Sequence, residues 1–83
     1  MYEVIIPSEV ERQLNKLDKS EKNRILQTLD RIKIRPEHFV EKLVGEVGFK
    51  LRVGDYRVIL DINNRDLIIL VIEIGHRKNI YKR

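Results

Sequence analysis

Residues 49–62 read FKLRVGDYRVILDI, and the alternation within them decides the fold. Phe49, Leu51 and Val53 point one way while Lys50 and Arg52 point the other. Gly54-Asp55 is a two-residue turn with glycine first, the type II′ preference. Tyr56, Val58, Leu60 and Ile62 then alternate with Arg57, Ile59 and Asp61. A period of two on both sides of such a turn is a β-hairpin. The turn also sets the register: Val53 faces Tyr56 and Arg52 faces Arg57, with Lys50 and Ile59 on the arginine side. Two arginines directly opposed destabilise a strand pair by a few tenths to about 1 kcal/mol. Either a bound anion such as phosphate compensates, since guanidinium groups match it in bidentate fashion, or the side chains splay into solvent or pair with Asp55, Asp61 and Glu73.

Downstream, Asn63 to Asp66 form a second turn, and Leu67 to Ile72 are six consecutive apolar residues. Such a run reads as a strand buried on both faces and therefore central in a sheet. Upstream of residue 40 the period is helical. Tyr2, Val4 and Ile6 first alternate with Glu3 and Ile5 as a short strand that Pro7 stops. Ser8 with Glu11 fits a capping box, and Val10, Leu14 and Leu17 supply the stripe of a helix over Glu9–Leu17. Asp18 to Glu21 repeat the cap, and Ile25, Leu29 and Ile32, with Leu26 beside them, mark a second helix that ends before Pro36. The expected order is β-α-α-β-β-β, an α+β domain with a two-helix hairpin packed on a four-stranded, antiparallel-rich sheet.

Length and composition agree with one small domain over residues 1–83. The absence of cysteine excludes disulfides and thiolate metal sites. No apolar run approaches the roughly 18–20 residues of a membrane span, and no signal pattern opens the chain, so a cytoplasmic location is expected. The net charge of +4 is not spread evenly. Residues 1–73 hold 13 basic and 13 acidic side chains, whereas Ile74 to Arg83 hold Arg77, Lys78, Lys82 and Arg83 and no acid. Such a terminal cluster is either a solvated tail or the seat of an anionic partner.

The last strand delivers Gly75-His76-Arg77-Lys78-Asn79-Ile80-Tyr81, residue types that grip or cleave phosphodiesters. If that strand runs antiparallel to its neighbour, its end lies beside Tyr56 and Arg57, and the two basic clusters converge. Tyr81 could then stack on a base, worth about 1–3 kcal/mol in single-strand binders. The two histidines, His38 and His76, are far apart and show no metal-ligand spacing, so neither a metal nor a cofactor is expected. His38 reads as a surface loop residue, and Tyr2 and Tyr56 as strand-face packing.

Glu41-Lys42-Leu43-Val44-Gly45, Phe49-Lys50-Leu51-Arg52, Gly54-Asp55-Tyr56-Arg57 and Gly75-His76-Arg77 with Tyr81 closely resemble the RelE/ParE toxin superfamily, in its RelE-like branch. The resemblance covers essentially the whole chain. It implies a microbial-RNase-like fold and the toxin of a type II toxin–antitoxin module, neutralised by a RelB-like antitoxin. RelE-like members are ribosome-dependent, metal-free endoribonucleases that cut mRNA in the ribosomal A site, so the ribosome and mRNA are implied partners. ParE-like members instead poison DNA gyrase without catalysis. Carried across, the RelE-like catalytic set falls on Lys50, Arg57, Arg77 and Tyr81, with Arg52, His76 and Lys78 as RNA-binding residues. A further strand lysine of the best-studied branch, two residues before Lys50, is replaced by Gly48. On that alignment His76 is a candidate to supply the missing proton transfer.

Overall fold

The computed structural model describes residues 1–76. In chain order it contains β1 (Glu3–Ile5), α1 (Ser8–Asn15), α2 (Lys19–Arg31), a 3-10 turn (Pro36–His38), β2 (Val40–Lys42), β3 (Phe49–Val53), β4 (Tyr56–Asn63) and β5 (Ile68–His76). The strands form one sheet in the order β1-β5-β4-β3-β2. All neighbours are antiparallel except β1 and β5, which run parallel with Glu3 opposite Ile68 and Ile5 opposite Leu70. The α+β class and the helix hairpin match the expectation, but the described sheet has five strands rather than four. The additional strand is β2, whose three residues Val-Glu-Lys carry too short an alternation to be read.

The β3–β4 hairpin has the register set by its turn, with Val53 opposite Tyr56 and Arg52 opposite Arg57. Gly54 sits at φ +59 and Asp55 is not in the positive-φ region, as a type II′ turn requires. Helix starts differ from the expected capping boxes. Extended Pro7 is the N-cap of α1, and its carbonyl accepts the amides of Val10 and Glu11, drawing Ser8 into the first turn, where it makes no capping bond. Asp18 does cap α2, through its backbone carbonyl to the Lys22 amide at 2.9 Å and not through its carboxylate.

Val10 and Leu14 of α1, Ile25 and Leu29 of α2, and Ile32 beyond it meet Leu51, Val53, Val58, Leu60, Ile69, Val71 and Ile74 from one face of the sheet. Both helices lie on that face, and among the described residues no helix covers the other, called the open face below. This corrects the reading of β5 as buried on both sides: Leu70 and Ile72 are 36% and 46% exposed on the open face. The strand is interior to the sheet, between β1 and β4, but only half covered. A register shift between Ile59 and Leu60 leaves Ile72 without an opposite residue on β4. Past Leu70, β5 also runs beyond the reach of β1. There α1 lies alongside it, and the Gln13 Oε1 accepts the Ile74 amide at 2.8 Å, so a backbone donor at the strand's uncovered edge is satisfied.

Candidate active site

Residues opposite one another across paired strands share a face, so the register tells which side chains meet. Lys50 lies opposite Ile59, and Ile59 opposite Glu73. In the next row Arg52 lies opposite Arg57, and Arg57 opposite Gly75. Their neighbours Leu51, Val53 and Val58 are buried beneath the helices, so these two rows occupy the open face. Lys50, Arg52 and Arg57 are thus brought together, as expected. On the far side of Lys50, its β2 partner Glu41 joins the same face.

Arg57 is the one charged residue counted as buried among the described residues, at 8% exposure. A buried charge is costly unless it is paired, and no buried side-chain nitrogen or oxygen among these residues lacks a hydrogen-bond partner. Lys50, Arg57 and Glu73 are each engaged with a partner. Gly75 contributes no side chain opposite Arg57. Arg52 and Arg57 side by side can take a bidentate oxyanion such as a phosphodiester, while the carboxylates of Glu41 and Glu73 on the same face offset part of their charge. Among the described residues no group of three or more His, Cys, Asp or Glu is placed to hold a metal ion.

His76 does not join this cluster. It lies opposite Tyr56, on the helix side of the sheet, and the two rings meet edge to face with centroids 5.6 Å apart and planes at 79°. Tyr56 is a packing residue as read, but its hydroxyl also donates to the Glu21 carboxylate of α2. Burial, then the charges of Glu21 and Asp18 and that hydrogen bond, hold the phenol above its ordinary pKa near 10. A cavity of about 180 Å³, lined by Glu21, Arg24, Asp55 and Tyr56 among others, opens beside them. Arg77, Lys78 and Tyr81 lie outside the described residues. His38 is exposed in the 3-10 turn, in keeping with its reading as a surface residue. Glu41 is the charged residue of the open face with no role assigned on sequence grounds; it lies in a strand too short to recognise.

A family model described as the ParE toxin of type II toxin-antitoxin system, parDE, matches residues 4–81. The chain belongs to this family of type II toxins, within the RelE/ParE superfamily. Solved structures agree on the toxin's fold. The archaeal RelE–RelB complex from Pyrococcus horikoshii OT3 is similar at 29% identity and a TM-score of 0.77, over 94% of this chain and 97% of that one. The RelBE2 toxin–antitoxin complex from Mycobacterium tuberculosis gives a TM-score of 0.84 at 22% identity, covering 92% of this chain and 98% of its own. The isolated E. coli RelE toxin gives 0.77 at 19% identity, over 98% of this chain and 92% of that one. No curated protein matches the sequence.

Proposed function

We propose that this toxin is a metal-free endoribonuclease of the RelE kind, cutting mRNA in the ribosomal A site and held inactive by a RelB-like antitoxin. The observation that carries the reading is the open-face row of Arg52, Arg57 and Gly75, with Lys50 in the row beside it. In the reaction a ribose 2′-hydroxyl gives up its proton to water as its oxygen attacks the adjacent phosphorus. The bond from phosphorus to the 5′-oxygen breaks, and that oxygen takes up a proton, leaving a 2′,3′-cyclic phosphate and a free 5′-hydroxyl. Negative charge grows on the phosphorane oxygens, so Arg57, with Arg77, stabilises the transition state more than the ground state. Lys50 neutralises charge beside them, Arg52 and Lys78 grip the RNA, and Tyr81 is suited to protonate the leaving oxygen because a phenol is a poor base at neutral pH.

Purified ribosomes programmed with a defined mRNA test this. The wild-type protein cleaves in the A site, and Arg57→Ala lowers the rate about 100- to 1000-fold. Absence of a cut, or equal cutting by the variant, overturns the proposal. Two observations favour a second reading as a gyrase inhibitor: the family description that matches the chain, and Gly48 at a lysine position of the nuclease branch. Inhibition of gyrase supercoiling without RNA cleavage would establish that reading instead.

A further inference from the structure

We propose that Glu73 is the general base of the cleavage, taking the proton of the attacking 2′-hydroxyl in place of water. The inference rests on the nuclease reading and refines one step of it. Its basis is the irregularity in β5. Leu60 lies opposite Val71 and Ile59 opposite Glu73, so Ile72 is an extra residue with no opposite number on β4. Had the pairing continued evenly past Leu60, Ile59 would face Ile72, and Glu73 would fall opposite Val58, which is fully buried beneath the helices. The inserted residue turns the end of the strand over. Ile72 and Glu73 then both lie on the open face, Ile74 returns to the core, and Gly75 comes opposite Arg57. Bulges that re-aim a side chain recur beside active sites. This one brings a carboxylate into the row next to the arginines.

Among the acids near the arginines, Glu73 is the one placed for the step. It is half-buried, and it stands one strand over and two residues along from Arg57. Such a diagonal is about 7–8 Å, within reach of two long side chains that meet on one phosphate. Lys50 lies in the same row as Glu73, beyond Ile59. Glu41 is exposed on β2, two strands from Arg57. Asp61 lies opposite Leu70, a row further from Arg57, and its Oδ1 accepts the Ile62 amide at 3.0 Å. Asp55 lines the cavity on the helix side. In the step, the 2′-hydroxyl O–H bond breaks and its proton passes to the Glu73 carboxylate as the oxygen bonds to phosphorus. The bond from phosphorus to the 5′-oxygen breaks, that oxygen takes up a proton, and the Glu73 carboxyl returns its own to water.

Cleavage on programmed ribosomes is measured across pH for wild type, Glu73→Gln, Glu73→Asp and Arg57→Ala. Glu73→Gln keeps the shape of the side chain and removes the proton acceptor. It should lower kcat about 100- to 10,000-fold with KM within about threefold, and the rise of rate with pH on the acid side should vanish. Glu73→Asp keeps a carboxylate, one methylene shorter, and should retain that rise at a reduced rate. A Glu73→Gln variant that cuts within about threefold of wild type overturns the base role. So does one that is slow but keeps the acid limb, since a mere counter-charge to Arg57 and Lys50 would behave in that way. Thermal melting of the purified proteins reports on the fold. If Glu73→Gln does not melt cooperatively, Glu73→Asp decides, and loss of its acid limb overturns the proposal. If wild type cuts, Arg57→Ala is slow and Glu73→Gln is unchanged, the nuclease reading stands and the base role falls. If wild type does not cut, both fall.

Discussion

At Gly48 the backbone adopts φ +115, a region that side chains other than glycine rarely enter. A Cβ there would meet the Leu60 carbonyl oxygen at 3.2 Å and Leu43 Cδ1 at 3.7 Å. The Gly48 carbonyl also accepts the Leu43 amide at 3.1 Å, closing the loop between β2 and β3. A lysine at this position would therefore have to enter a backbone conformation that favours glycine. Gly48→Lys should destabilise the fold by about 1–3 kcal/mol in urea denaturation, through strain and crowding against β4, and should not raise cleavage. A stable variant with increased activity would show that the loop accommodates the lysine. Arg57 makes the opposite point. Its residue type and its place two residues after a glycine turn were legible, whereas its near-complete burial was not, because burial depends on what other strands bring to the same face.

Among the elements, the β3–β4 hairpin was readable to the individual residue pair, since the glycine turn and the alternation specify the same register. β2 was not, because Val40, Glu41 and Lys42 show only one and a half periods. The apolar run from Leu67 reads identically whether its second face is covered or open. Nor was the face that His76 takes legible: the register shift after Ile59 puts Val71 and Ile74 on the same face and leaves Ile72 unmatched, and no sequence signal marks that inserted residue. The junction of α2 with the hairpin has a pH signature of its own. Tyr56 has its folded pKa raised, first by burial and then by Glu21 and Asp18. The folded state thus holds the phenol proton longer than the unfolded chain, whose value is about 10. The stabilisation this gives is full below about pH 10 and is lost as pH rises through the folded value. Urea denaturation should therefore show wild type more stable than Tyr56→Phe at about pH 8, with the gap narrowing above about pH 10. A gap that does not change with pH would mean that the hydroxyl contributes nothing to the junction.

For the molecule as a whole, charge is divided between a neutral body and a basic end. Residues 1–73 balance 13 cations against 13 anions, and the whole excess of +4 follows them. On the open face, Lys50, Arg52 and Arg57 share space with Glu41 and Glu73, so net attraction for a polyanion there is local and short-ranged. Binding to a short single-stranded RNA, followed by fluorescence anisotropy, should weaken with salt at a log–log slope of about −2 to −5, and Arg57→Ala should reduce that slope by roughly 0.7. A salt-independent affinity would count against phosphate contacts. Two faces of different character follow from the same sheet: one closed by α1 and α2 over an aliphatic core, the other carrying cations at the β3–β4 end and exposed Ile5, Leu70 and Ile72 at the β1–β5 end.

The parallel pairing of β1 with β5 places Glu3 beside Ile68, nearly the full length of the described chain apart. The first strand to be synthesised therefore has no partner until the last one exists. A half-translated copy holds its opening segment unpaired and lacks β5. The sheet of this toxin therefore closes only once β5 has emerged.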